Sequence, residues 1–293
     1  MFRKLIAAAT AVAALATISP AIADSGSKIL DRIKERGVIN MGHRESSIPF
    51  SYIGPSGKPI GYSVDICHMF IDKIRGTLKM PNLKINYVPV TSQTRIALMA
   101  NGTIDVECGS TTNNLTRQKQ VDYLAVTFIT GTKLASKKGS GITEVEDLQG
   151  KAIALSQGTT NEKAIKRIAK AKGIKIKIIP VKDHPQGWLA LETGRVDAYA
   201  TDDVLLYGLI SKSKNPDQFQ VTGRFLSYDP YGIMVPQDDS TYQRLGNVLL
   251  ADLMRSGEML KIYNKWFNPG PTGINMPISD TLKTAYQIQA LPH

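Results

Sequence analysis

The sequence predicts an α/β protein with two lobes. Three observations carry this. Strands alternate with helices almost throughout, which favours mainly parallel sheets covered on both faces. Polar clusters fall directly after strands, at their C-terminal ends. One unit, helix–glycine–buried strand–polar cluster, occurs twice, at 91–117 and 188–203. A crevice between two such copies is where a ligand site is expected.

The first copy is TSQTRIALMANGTIDVECGSTTNNLTR. Ile96, Leu98, Met99 and Ile104 are its apolar anchors. Asn101-Gly102 ends a short helix, because glycine accepts the left-handed cap. Ile104–Glu107 reads as a buried strand. It opens into Gly109-Ser110-Thr111-Thr112, a turn rich in N–H groups and hydroxyls, with Arg117 one helical turn on. Donor-rich backbone at a strand end suits an anion, and an arginine fork suits a carboxylate. The second copy, WLALETGRVDAYATDD, ends in Asp202 and Asp203 instead. Facing ends of this kind would hold a zwitterion.

The remaining elements follow in order. Lys28–Arg36 reads as a helix stopped by Gly37. Val38–Met41 is a strand followed by the polar run from Gly42 to Ser47. Gly54–Gly57 is a hairpin loop. Tyr62–Leu78 is a helix with Val64, Ile66, Cys67, Phe70, Ile71 and Ile74 on its apolar face. Leu83–Val90 alternates as a strand, and Thr127–Ser136 is extended. Val145–Gly150 is a brief helix and Lys151–Leu155 a strand. Ser156-Gln157-Gly158-Thr159-Thr160 leads into a helix from Asn161. This loop lacks the Gly-Lys-Ser/Thr ending of a nucleotide-binding P-loop, so it reads as a single oxyanion site or an ordinary Thr cap. Ile174–Val181 is a strand and His184 opens the next helix. After Asp202–Asp203 and their helix, Phe219–Thr222 and Ser227–Val235 are extended. Asp239–Phe267 is helical with a break near Ser256-Gly257, and Asp280–Ala290 forms a terminal helix.

Composition narrows the function classes. The chain has 293 residues, 42% hydrophobic and 21% charged, with a formal net charge of +11. The densest basic run, Lys163–Lys177, has the spacing of a solvated helix face and lacks interleaved aromatics, so no nucleic-acid partner is expected. Met1–Ala23 has a basic start, an apolar stretch from Leu5 to Ile18 and the small-residue site Ala21-Ile22-Ala23, the pattern of a cleaved export signal. Losing Arg3 and Lys4 lowers the charge from +11 to +9. No HExxH, Ser-His-Asp pattern or Cys/His metal cluster is present, so neither metal nor other cofactor is expected. His184 and Glu107 are the only candidates for proton chemistry, without a partner at useful spacing. Cys67 and Cys108 are either a disulfide, which an oxidising compartment permits, or two buried thiols.

The segments GHRESSIPFSY, TSQTRIAL, NGTIDVECGSTTNNLTRQKQ, SQGTT, KDH and TDD, in that order, resemble the periplasmic glutamate/aspartate-binding proteins of bacterial ABC uptake systems, within the polar-amino-acid solute-binding proteins. The resemblance runs from about Lys28 to Phe267. It implies a type II periplasmic binding fold: residues 28–131 and 227–269 form lobe 1, 132–226 form lobe 2, two strands act as hinge, and 270–293 are a C-terminal extension. It implies that Arg117, with the N–H groups of Thr112 and Thr160, takes the ligand α-carboxylate. Asp202 and Ser110 take the α-ammonium, and Arg44, Ser92, Arg95 and His184 surround the side-chain carboxylate. Relatives that bind basic amino acids carry an acid at the position of Arg44. Ser92 stands where many relatives have an aromatic clamp. Ile233 stands where acidic-amino-acid binders have a Cys, so any disulfide is Cys67–Cys108. The expectation is a monomeric, non-enzymatic periplasmic protein that delivers glutamate or aspartate to a membrane ABC permease. A sensor for the same ligand and a dehydratase on the same fold are the alternatives.

Overall fold

The computed structural model describes residues 26–292. The expected export signal and the start of its linker lie outside the described residues. Helix α1 (Lys28–Arg36) starts at Ser27, whose Oγ accepts from the Leu30 N–H, and stops at Gly37 in the left-handed region. It leads into β1 (Val38–His43). The strands β2 (Ser46–Ser47), β3 (Ser51–Ile53) and β4 (Pro59–Ile60) make a small antiparallel sheet. Next come α2 (Tyr62–Leu78), β5 (Lys84–Pro89), α3 (Arg95–Ala100) and β6 (Val106–Cys108). β7 (Asp122–Thr130) and β8 (Thr132–Lys137) carry the chain across to a second unit. That unit holds β9 (Ala152–Ser156), α4 (Thr160–Lys172), β10 (Lys177–Val181), α5 (His184–Glu192), β11 (Ala198–Asp202), α6 (Asp203–Ile210) and β12 (Phe219–Thr222). β13 (Asp229–Val235) returns to the first sheet, and α7 (Ser240–Arg255), α8 (Glu258–Phe267) and α9 (Asp280–Gln289) follow.

The two large sheets share one plan. The first has the order β5-β1-β6-β13-β7 and the second β10-β9-β11-β8-β12. In each, three parallel strands are joined by one antiparallel strand, β13 or β8. The expectation of parallel sheets therefore needs one amendment. The reversed strand in each sheet is the one that has just crossed from the other lobe, and entering from outside the βαβ series frees it from the parallel rule. β6 also differs from the expected Ile104–Glu107. Its pairing with β1, Met41 opposite Val106 and His43 opposite Cys108, sets the register instead.

Burial follows the helix period. All six predicted apolar positions of α2 are buried. The first lobe's core gathers Phe50, Tyr62, Phe128, Tyr231, Tyr263 and Phe267. Phe50 meets its neighbours at tilted or edge angles, such as 83° with Phe128, whereas Phe128, Tyr263 and Phe267 stack on one another, at 13° between Phe128 and Tyr263; aromatic quadrupoles favour edge and offset-stacked pairs alike. Cys67 on α2 and Cys108 at the end of β6 form a disulfide. The sequence left this pairing open, because spacing alone does not show whether two Cα atoms approach. The bridge closes a loop of 41 residues, which stabilises by about 4 kcal/mol in the chain-entropy picture. Thiol titration of the unfolded, unreduced protein should find no free cysteine, and two reactive thiols would remove the bridge.

Where the chain crosses, the two passages touch. A Cβ on Gly131 would lie 2.2 Å from the Ser227 carbonyl oxygen, so only glycine permits this approach. Leu226 N–H donates to Thr132 O at 2.9 Å, and Thr132 and Ser227 share a hydroxyl bond of 2.7 Å. The C-terminal segment packs back on lobe 1. Tyr286 Oη reaches Thr127 O at 2.8 Å and Tyr62 Oη at 2.7 Å. Gln289 bonds both the N–H and the C=O of Val126, at 2.7 and 3.0 Å, on the edge strand β7.

Candidate functional site

The strand ends place the polar clusters. β1 ends at His43 and hands Arg44 to the cleft; β6 ends at Cys108 and opens into Ser110–Thr112. From the second lobe, β9 ends before the Thr159–Thr160 start of α4, β10 before Asp183–His184, and β11 at Asp202. Carboxyl ends of strands in both lobes therefore face one crevice, as expected for an open α/β sheet.

Seven of the nine residues singled out in the sequence line one narrow cleft: Ser92, Arg95, Ser110, Thr112, Thr160, His184 and Asp202. Arg44 and Arg117 stand behind its wall. Arg44 Nη2 donates to Ser92 Oγ at 3.0 Å, and Arg117 Nη1 to Thr112 O at 2.8 Å. The three arginines are 0%, 3% and 6% exposed for Arg44, Arg95 and Arg117. They are thus not the solvated surface charges that arginines usually are.

Arg95 is held from below. Its Nη1 donates to Ser110 O at 3.0 Å and to Thr111 Oγ1 at 2.5 Å, and that hydroxyl donates to Glu107 Oε2 at 2.7 Å. Glu107, one of the two candidates for proton chemistry in the sequence, thus anchors the arginine through one hydroxyl. Burial, and then the nearby Arg117, lowers the Arg95 pKa to about 10, and it stays a cation at neutral pH. Several buried donors at this site, Arg44 Nε and Nη1, Arg95 Nε and Ser110 Oγ, have no hydrogen-bond partner among the described residues. Leaving such groups unpaired costs about 1–3 kcal/mol each, more when charged. Four together in one place form a donor-rich surface whose chemistry suits an anion.

On the opposite wall, Asp202 accepts from Asn161 Nδ2 at 2.8 Å and from Tyr231 Oη of the other lobe. Burial, with Asp229 close by, pushes its carboxyl up to about 7, although the Tyr231 and Asn161 hydrogen bonds oppose the shift. Desolvation of this kind makes a buried carboxylate seek a cation. Asp203, the second carboxylate of the Asp202-Asp203 cluster, accepts from Thr130 Oγ1 at 2.6 Å and from the Val204 N–H at 2.8 Å, and is partly buried.

His184 is buried and bonds Tyr199 Oη through Nδ1 at 2.8 Å. Burial drives its pKa down to about 3, so it is neutral and not a fourth cation. It meets the site as a dipole, with Nε2 available to donate or accept according to tautomer.

The lobes touch across the cleft at several polar points. Arg117 Nη2 donates to Gly158 O at 3.1 Å, and Thr112 Oγ1 and Thr160 Oγ1 are 3.3 Å apart. Gly158 has φ +75° and its missing Cβ would lie 3.0 Å from Ser92 O, so glycine is required there. Asp183 bonds Arg44 from the facing lobe. Four residues of this site escaped the sequence reading: Asn161, Asp183, Asp229 and Tyr231. Asp183 stood inside the quoted KDH segment. Tyr231 and Asp229 lie on the returning strand β13, and nothing local signals that they reach the cleft.

A much larger depression, about 860 Å³, lies behind the hinge between Phe128, Tyr207, Phe225, Tyr228, Tyr263 and Met276. Among the described residues its wall contains no arginine or lysine, so the charge chemistry belongs to the smaller cleft. No group of three or more His, Cys, Asp or Glu side chains disposed to hold a metal occurs among the described residues, and no described helix is long and apolar enough to cross a membrane.

Residues 39–269 match the bacterial extracellular solute-binding proteins, family 3. The chain is 44% identical over 279 residues to an L-glutamate/L-aspartate-binding protein of Pseudomonas aeruginosa, covering 94% of this chain and 92% of the relative. It is 40% identical over 269 residues to a glutamate/aspartate import solute-binding protein of Salmonella typhimurium, covering 90% and 89%. Among solved structures it resembles an ancestral arginine-binding protein bound to arginine, with a TM-score of 0.71 at 29% identity, covering 79% of this chain and 99% of that one.

Proposed function

The chain belongs to the bacterial extracellular solute-binding proteins, family 3, and from that membership we propose that it captures L-glutamate and L-aspartate outside the cytoplasmic membrane and delivers them to an ABC permease. The relatives that match nearly its whole length are binding proteins of import systems, and it is a binding protein rather than an enzyme. The observation that carries the ligand class is the set of three buried arginines, two of them (Arg44 and Arg95) with unpartnered donors, facing Asp202 across one cleft. In this reading Arg117, with the N–H groups of Thr112 and Thr160, takes the α-carboxylate. Asp202 and Ser110 take the α-ammonium. Arg44, Ser92, Arg95 and neutral His184 receive the side-chain carboxylate.

The physics of selection is simple. A ligand with a neutral side chain leaves buried guanidinium donors unmatched, and that deficit discriminates more strongly than any loss of apolar contact. Closure follows because ligand touching both lobes favours the closed arrangement. We assign 28–131 and 227–269 to one moving body and 132–226 to the other, with 270–293 as an appendage of the first. Export with cleavage after Ala23, and action as a monomer, complete the proposal.

A thermal-shift screen of the mature protein against the common amino acids tests it. Glutamate and aspartate should raise Tm; at a hundredfold excess over Kd the added stability is about 2.7 kcal/mol. A screen in which only basic or apolar amino acids raise Tm would refute the assignment.

A further inference from the structure

We propose that Asp183 is an internal stand-in for the ligand's side-chain carboxylate: reaching from one lobe, it occupies the Arg44 guanidinium of the other, and so sets both the affinity of the cleft and its preference for acidic over neutral ligands. This rests on the reading of the cleft given above.

The position of Asp183 invites a duller role. It directly precedes α5, where aspartate ordinarily caps a helix. Yet its side chain makes no capping hydrogen bond, and the next residue but one, Pro185, has no N–H to offer. The carboxylate turns instead across the cleft to Arg44 Nη2. Ser92 Oγ completes a triangle, accepting from Arg44 at 3.0 Å and donating to Asp183 at 3.4 Å. His184 Nε2 lies 3.9 Å from the same carboxylate oxygen. Burial alone would push the Asp183 carboxyl up, but Arg44, with His184 and Arg95 behind it, holds it below its ordinary value.

The two partners differ in freedom. The Arg44 side chain is 0% exposed and the Asp183 side chain 16%. Arg44 is fixed inside its lobe, whereas Asp183 keeps an outlet to solvent and can withdraw as the lobes part. An arriving dicarboxylate must therefore compete with an anion already on Arg44. A ligand with a neutral side chain faces no such competition, because it offers Arg44 no charge.

The test uses the full mature protein and its Asp183→Asn variant, each titrated calorimetrically with L-glutamate and with L-glutamine. The variant should bind glutamate about tenfold more tightly, the size of one charge-assisted contact no longer opposed. Its glutamine affinity should stay within about twofold, so the ratio of the two constants widens. Uniform weakening of both ligands, or an unchanged ratio, would overturn the proposal and leave Asp183 as a closing contact. Asp183→Ser, which cannot mimic the amide's hydrogen bonds, is titrated alongside in case the asparagine variant folds poorly. Wild type that binds neither glutamate nor aspartate would instead sink the underlying reading of function, and that result is visible before any variant is compared.

Discussion

Arg44→Asp is expected to abolish the binding of acidic amino acids. Arg44 is fully buried behind the cleft and carries two nitrogens, Nε and Nη1, without a partner among the described residues. The substitution removes a desolvated cation and installs a carboxylate beside Asp183. Truncating one member of a buried charge pair costs about 3–5 kcal/mol, and the new like-charge contact adds to it. Affinity for glutamate should fall on the order of a thousandfold or more, beyond the range of ordinary calorimetry. The reversed charge matches the side chain of a basic amino acid, so lysine and arginine belong in the same titration. Glutamate binding at wild-type strength, in a variant whose circular dichroism is unchanged, would show that this guanidinium does not serve the site.

Asp202→Asn should separate binding from stability. The Asp202 carboxyl is raised to about 7, chiefly by burial and then by Asp229. Its ordinary value, about 3.9, applies in the unfolded chain. Between those values the folded protein holds a proton that the unfolded chain has released. The contribution of Asp202 to stability is therefore complete below the unfolded value and is lost as pH rises through about 7. At pH 8 the ligand-free protein carries a buried carboxylate with two donors, Asn161 and Tyr231, but no cationic partner among the described residues. Neutral asparagine relieves that cost, so the variant should melt no lower than wild type at pH 8. The same change removes the partner of the ligand ammonium, and glutamate affinity should fall about a hundredfold, the worth of a strong charge-assisted bond. Wild type offers a second measurement. Near pH 6, binding an ammonium should expel the Asp202 proton, and calorimetry in buffers of different ionisation enthalpy should detect the release. Above pH 8 the release should vanish. Binding without proton release at pH 6 would show that Asp202 is already ionised or is not the ammonium's partner.

Much of this architecture was legible along the chain, and particular elements show why. α2 spans Tyr62–Leu78 as expected, because six apolar residues at helical spacing leave no other face to bury. The predicted strand from Ile174 begins only at Lys177, because Gly173 closes α4 with a left-handed cap and Ile174 N–H returns to Ala169 O, using up the intervening residues. Nothing local announces that β13 and β8 run against their neighbours, since their direction follows from crossing between lobes. The site divides in the same manner. Residues at strand ends, such as Ser110, Thr160 and Asp202, could be read from the alternation of strand and polar turn. Asp183, Tyr231 and Asp229 could not, because each reaches the cleft by a long-range approach. The disulfide stayed undecided for the same reason, being a distance between elements rather than a pattern within one.

The last helix has a colloidal consequence. β7 is an outermost strand, and an uncovered outermost strand offers its backbone to any second chain. Gln289 satisfies both backbone groups of Val126, and Tyr286 takes the Thr127 carbonyl. These contacts come from residues beyond 269, where the family match ends. A chain trimmed at that boundary would keep every residue of the cleft yet lose these three hydrogen bonds, so light scattering should show more self-association in the trimmed chain than in the intact one.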